Sequence, residues 1–333
     1  MEYAHLGRAG LVVSRLALGT LGFGPEIDQA NAHALMDRAH EHGINLIDTS
    51  NVYGHKHGGD WAEEVIGRWF AKGGGRRDKT VLATKVFEPQ SDWPNDGRLS
   101  ALHIRKACDA SLARLQTDHI DIYQMHHIDR NTPWDEIWEA MEVLRNQGKI
   151  LYVGSSNFAG WHIAQAQAAA KERHFLGLVS EQSIYNLMTR DIERELLPAA
   201  RECGVGILAW SPLNRGMLGG MIERERNGTL PANFNGTSVT GPTRGNIALL
   251  NEYRSRLERY EDLCANIGAK PAQVAVAWLL SRPGITSSIV GPVNQDQLDD
   301  TVGSLDLELE EKILSELDDI FPGYLPAPED YAW

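Results

Sequence analysis

The chain has 333 residues, 42% of them hydrophobic, enough for two ordinary domains or one large α/β barrel. Its formal charge of −13, with no basic stripe, argues against nucleic acid and anionic membrane as partners. No membrane-length apolar run or secretory signal is seen, and Cys108, Cys203 and Cys264 are too scattered for a disulfide framework or zinc spacing, so a cytoplasmic chain is expected.

After a hairpin-like start, short apolar β-rich runs alternate with amphipathic helical ones. RLALGT (15–20) precedes a helical block at 28–42. INLIDTS (44–50) carries Asp48, and Tyr53 follows five positions later in DTSNVYG, ahead of a helix at 60–72. TVLATKV (80–86) ends near Lys85 and leads to a helix at 100–116. IDIYQMHH (120–127) finishes in His126 and His127. Thr132-Pro133 then offers an N-cap and a proline at the first helical position, with Asp135 three residues after the threonine. Trp134, Ile137, Trp138, Met141 and Leu144 recur at helical spacing as core, and Gly148 supplies the stop. ILYVGSSN (150–157) ends in Ser156-Asn157, GLVSEQSI (177–184) holds Gln182, and VGILAWSP (205–212) ends in Trp210-Ser211. Helices at 160–173 and 190–203 separate these runs. A Gly/Asn/Thr/Pro-rich excursion at 213–249 precedes helices at 250–267 and 271–282, and TSSIVGP (286–292) is the last strand.

Most of the strands are continuously apolar, as strands covered on both faces are. Eight strand–helix units in order predict a (β/α)8 TIM barrel, with an N-terminal β-hairpin and an extra C-terminal helix and tail, as one domain over 1–333. In such a barrel the active site lies at the C-terminal strand ends, where Asp48, Lys85, His126, Ser156-Asn157, Gln182 and Trp210-Ser211 converge. A phenol with a pKa near ~10 needs help to give up a proton near neutrality. A neighbouring ammonium favours its phenolate, a carboxylate can hold that ammonium, and an imidazole can orient the substrate oxygen. Such a set suits carbonyl reduction, in which hydride reaches carbon and a proton reaches oxygen. Strand parity sends His126 to the barrel mouth with Ile120, Ile122 and Gln124, and His127 towards the helices with Tyr123 and Met125. No metal site is expected. In a metal-dependent hydrolase reading His55-Lys56-His57 offers a His-x-His and His126-His127 could add a ligand. The triplet falls in a polar loop rather than at a strand end, however, and the other strand ends carry no histidine.

DTSNVYG, the lysine of LATKV, the histidine of YQMHHID, the VGSSNF run and AWSPL occur in order at strand ends, and together resemble the aldo-keto reductase superfamily. The resemblance implies NADPH as cofactor and Asp48, Tyr53, Lys85 and His126 as a catalytic tetrad, with Tyr53 as general acid. It further implies Ser156, Asn157 and Gln182 on the nicotinamide carboxamide, Trp210 stacked on the ring, and Ser211, Leu213, Arg215 and Gly216 near the pyrophosphate. Gly291, Asn294 and Gln297 complete the cofactor set after the last strand. That run, GPVNQDQLDDT (291–301), departs from the family by lacking a basic residue and carrying Asp296, Asp299 and Asp300, so tolerance of NADH is expected. The segments MEYAHLGRAGL, GRWFAKGGGRRDK and HIDRNTPWDEIWEAM resemble reductases of actinomycete deoxysugar pathways. This widens the carbonyl substrate to a keto- or enoyl-sugar nucleotide, with Arg130, Arg215 or Arg244 as diphosphate contacts. Residues 87–97, 213–249 and the tail 321–333 are expected to shape the pocket, with Trp93, Trp333 and Phe23 as aromatic lining. The alternative within the same fold is a cofactor-binding sensor subunit with slow turnover, as in channel β-subunits.

Overall fold

The computed structural model describes residues 1–54, 61–230 and 247–332. His55, Lys56, His57, Arg244, Trp333 and residues 231–246 of the long excursion lie outside the described residues. An antiparallel pair, β1 (Tyr3–His5) and β2 (Val12–Ser14), comes first. Eight strands follow: β3 (Leu16–Gly19), β4 (Leu46–Asp48), β5 (Val81–Val86), β6 (Ile120–Met125), β7 (Ile150–Ser156), β8 (Leu178–Ile184), β9 (Gly206–Trp210) and β10 (Ile285–Val290). All pair in parallel, and the sheet closes into a barrel in the order β10-β3-β4-β5-β6-β7-β8-β9. The helices are α1 (Gln29–Glu41), α2 (Ala62–Phe70), α3 (Ala101–Leu115), α4 (Trp134–Asn146), α5 (Gly160–Glu172), α6 (Leu196–Cys203), α7 (Met221–Arg226), α8 (Ile247–Asn266), α9 (Pro271–Ser281), α10 (Gln295–Val302), α11 (Glu311–Ile320) and α12 (Glu329–Ala332). The expected (β/α)8 barrel with hairpin and C-terminal extension is the observed fold.

The period of two along each strand sorts its residues between two cores. Ala17, Leu46, Ala83, Ile122, Leu208 and Ile289 fill the barrel, while Leu18, Ile47, Leu82, Tyr123 and Met125 pack outward against the helices. Leu6, Ala9 and Val13 of the hairpin join the inner cluster and plug the barrel from below. That close approach requires Gly7, at φ 56°, because a Cβ there would run into backbone atoms of Val179, Gly204 and Gly206. Two residues beyond the inner apolar ring, on the same face, come Asp48, Lys85, Gln124 and Trp210. The pleat that fills the barrel thus also delivers polar groups to its mouth.

Four local expectations are corrected. Helix α4 begins one residue later than anticipated: Pro133 is its N-cap, and the Thr132 hydroxyl donates instead to Asp129 (2.9 Å). Phe23 is fully buried in the outer core and lines no pocket. Ile120 also packs in the outer core rather than with Ile122, although it is already paired with Ile150. The described part of the excursion folds back as α7, whose backbone Ile222 and Glu223 N–H groups donate to Glu261 of α8. Among the described residues no single helix is long and apolar enough to cross a membrane.

Candidate active site

Lys85 and Asp48 occupy adjacent strand ends, fully and almost fully buried, with Nζ 2.7 Å from Asp48 Oδ2. The ammonium also donates to the Thr49 carbonyl (2.9 Å) and to Tyr53 Oη (3.2 Å), so its three donors are all placed. Asp48 Oδ1 accepts from Gln182 Nε2 (2.7 Å) and Gln124 Nε2 (3.0 Å). The buried charge pair is therefore completely hydrogen-bonded, the condition under which such a pair persists. Burial opposes the charge on Lys85, but Asp48 and Tyr53 outweigh it and hold its pKa above the ordinary lysine value. For Tyr53 burial dominates: it raises the phenol pKa, the Lys85 charge lowers it, and Asp48 raises it, with a net upward shift. The residue set alone predicts a lowering by Lys85; burial of the phenol, which local sequence does not encode, reverses it.

Tyr53 is carried on the turn after β4, with its N–H on the Ser50 carbonyl (3.3 Å) and its own carbonyl accepting from Ala62 at the start of α2 (3.0 Å). Its ring lies 4.8 Å from the Lys85 ammonium and edge-on to His126, centroids 6.1 Å apart. His126 follows the last residue of β6. Its N–H donates to Val86 O (2.9 Å), and its carbonyl accepts from Asn157 Nδ2 (3.2 Å). Its Nδ1 approaches Ser50 Oγ at 3.5 Å. All four expected tetrad residues therefore meet at one point of the mouth. This arrangement can give a proton to an oxygen placed between Tyr53 and His126 and stabilise the charge left on Tyr53.

The expected cofactor residues lie along the neighbouring strand ends. Ser156 Oγ donates to Gln182 O (2.8 Å) and accepts from Asn157 Nδ2 (3.0 Å). With their N–H groups given to protein acceptors, Asn157 and Gln182 offer their amide oxygens to a ligand N–H. Trp210 ends β9 half-buried, and Ser211, Asn214, Arg215 and Gly216 behind it all take positive φ. The Arg215 N–H donates to Ser211 Oγ (3.1 Å), and the Gly216 N–H to Leu213 O (3.0 Å), which locks this loop on itself. A primary-amide ring, a flat aromatic face and a polar loop in sequence fit the nicotinamide half of a dinucleotide. Beyond β10 and Gly291, Asn294 caps α10 by accepting from Gln297 N (2.9 Å), and Gln297 Oε1 accepts from Val293 N (3.1 Å). Asp299 is ion-paired with Arg38 (2.8 Å) and hydrogen-bonded to His42 Nε2 (2.6 Å), and Asp300 is ion-paired with Lys270 (2.6 Å). Two of the three aspartates that looked hostile to a phosphate thus carry their own counter-charge.

His127 is a correction. Strand β6 ends at Met125, so parity lapses, and the His127 ring stacks on His126 with centroids 4.9 Å apart and planes within 6°. It does not turn towards the helices; Phe87 meets it edge-on (5.3 Å), and its Nε2 lies 3.6 Å from Glu88 Oε1. Sequence reasoning also missed Gln124 as an Asp48 ligand, Ser50 beside His126, and Glu181. The Glu181 carboxylate is fully buried beneath the Ser156–Phe158 turn. It accepts from Ser183 Oγ (2.6 Å), Phe158 N (3.1 Å) and Ser155 Oγ, and burial raises its pKa to about 7 against those bonds. Gln124 was legible, since it shares the inward face with Ile122; a lone glutamate inside an apolar strand was a signal for Glu181. Of the pocket segments, Trp93 is largely exposed, and the described part of the tail bonds to Glu193 and Arg194.

Comparison with known proteins gives concordant matches. A model of the aldo/keto reductase family matches residues 15–321. An uncharacterized oxidoreductase, YrpG, of Bacillus subtilis (strain 168) is 50% identical over the full length of both chains. A probable voltage-gated potassium channel subunit beta of Arabidopsis thaliana is 30% identical over 99% of this chain and all of its own. A versiconal hemiacetal acetate reductase of Aspergillus parasiticus is 33% identical over 93% of this chain and 94% of its own.

Proposed function

The chain belongs to the aldo/keto reductase family and is an NAD(P)H-dependent reductase, and from that premise we propose that it reduces an aldehyde or ketone using NADPH, with Tyr53 as proton donor. The observation that carries the reading is the Tyr53–Lys85–Asp48 chain of hydrogen bonds, with the His126 ring edge-on to Tyr53 beside it. The cofactor would be held by Ser156, Asn157 and Gln182 at its carboxamide and Trp210 at its ring. Ser211, Leu213, Arg215 and Gly216 would take its pyrophosphate, and Gly291, Asn294 and Gln297 its adenosine end. Bound there, the reduced nicotinamide supplies hydride to the carbonyl carbon.

The protein's part is the oxygen. His126 orients it by hydrogen bonding, and Tyr53 gives it a proton as alkoxide character develops. A phenol held above its ordinary pKa remains protonated until that base forms, and an alkoxide is strong enough to take the proton. The Lys85 ammonium, 3.2 Å away, then stabilises the phenolate, and Asp48 keeps the ammonium in place. Neutralisation of Asp299 and Asp300 favours NADPH, with NADH tolerated. A keto- or enoyl-sugar nucleotide is the narrower substrate reading, supported by the exposed Arg130 and Arg215 in loops after β6 and β9. The free, largely buried cysteines suit a cytoplasmic setting.

Cofactor oxidation is to be followed with NADPH and NADH against aryl aldehydes, aliphatic ketones and nucleotide sugars. Carbonyl-dependent turnover with higher kcat/KM for NADPH is expected; a strong NADH preference would overturn the cofactor assignment. A second reading, a cofactor-binding regulatory subunit, is favoured by the relatives named potassium channel subunits beta. Tight cofactor binding without appreciable turnover on any carbonyl would establish that reading instead.

A further inference from the structure

Two segments leaving adjacent strands bring metal-ligating side chains to the edge of the mouth. Strands β5 and β6 pair as far as Val86 opposite Met125, and just beyond that pair Glu88 Oε1 lies 3.6 Å from His127 Nε2. One ligand atom each from Glu88, His126 and His127 lies within 4.8 Å of the others, and all three residues are half-buried. Two imidazoles and one carboxylate are the donor set of zinc sites that keep a fourth position open. The parallel rings do not yet aim their in-plane lone pairs at one point. His127 is off the strand with 42% of its side chain exposed, and Glu88 already faces it, so rotation of that one ring off His126 would complete the set. Neither His127 nor Glu88 has a part in the proton chemistry described above.

We propose that Glu88, His126 and His127 bind Zn2+, and that the bound ion stops turnover by drawing the His126 imidazole away from the carbonyl oxygen. The binding stands on the cluster alone; the shut-off rests on the role given to His126 in the proposed function. The test uses untagged, chelator-treated full-length protein. Zinc sulfate is titrated in competition with a chromophoric chelator, and carbonyl reduction is measured in parallel.

A single Zn2+ per chain is expected, with inhibition tracking its occupancy. His127→Ala and Glu88→Gln should each keep turnover in the absence of zinc while weakening both binding and inhibition roughly tenfold or more. Glu88→Gln preserves side-chain size, so a folding defect in His127→Ala would not mask the result. A His55→Ala/His57→Ala variant should bind zinc as the wild type does. No stoichiometric binding, binding indifferent to His127→Ala and Glu88→Gln, or binding lost with His55 and His57 would each overturn the site. Zinc bound through Glu88 and His127 with turnover unimpaired would overturn the shut-off, and with it the position of His126 at the carbonyl.

Discussion

Every donor of the Lys85 ammonium is committed, and among the described residues only Asp48 is ion-paired with it. Asp48→Asn leaves that charge buried and uncompensated. It is expected to lower unfolding free energy by about 3–5 kcal/mol in urea titrations, with loss of carbonyl reduction. Tyr53→Phe removes one hydrogen bond to a buried ammonium that keeps two others, and should cost about 1–3 kcal/mol, less than Asp48→Asn. Glu181 sets a pH dependence of its own. Its folded pKa, about 7, lies above the unfolded value of about 4.5, so the folded chain holds a proton the unfolded one has lost between those limits. Its stabilisation is complete below pH 4.5 and is lost as pH rises through 7. Glu181→Gln mimics the protonated form. Relative to wild type it should gain stability between pH 5 and 8, by roughly 3 kcal/mol at most, when unfolding is compared across that range. A constant difference between the two proteins at all pH values would refute the assignment.

Helices α2 and α3 meet where Gly67 leaves no room. A Cβ there would overlap the Arg114 carbonyl oxygen and crowd the Leu115 backbone. Helix propensity alone favours Gly67→Ala by about 1 kcal/mol. The contact reverses the sign, and a net loss of about 1–3 kcal/mol is expected in thermal or urea unfolding. Element identity was legible in the sequence because most of the eight buried strands are nearly continuous apolar runs and the helices carry period-3.6 stripes. Boundaries were legible only where local chemistry stood alone. Thr132 looked like an N-cap, yet Asp129, three residues earlier and itself accepting from Leu99 N of a distant segment, takes its hydroxyl. His127 followed parity on paper, but parity belongs to paired backbone, and pairing stops at Met125. Helix α7 was hidden because its anchors on Glu261 lie 38 and 39 positions away.

At the scale of the whole barrel, the candidate site is a product of closure. Asp48, Lys85, Gln124 and Gln182 come from four strands, and their mutual bonds exist only because β3 to β10 wrap into one ring. The residues could be picked from strand ends one by one. Desolvation of Tyr53, pairing of Asp299 with Arg38, and the approach of Glu88 to His127 depend on neighbours distant in sequence or on burial, which no local pattern encodes. The central claim is that Tyr53 delivers the proton within this buried chain of charges. Its most direct test is kcat for NADPH-dependent reduction of one good aldehyde by wild type and by Tyr53→Phe. The account predicts a loss of about 10²–10⁴-fold in the variant, with the fold and cofactor affinity retained. Turnover equal to that of the wild type would contradict it.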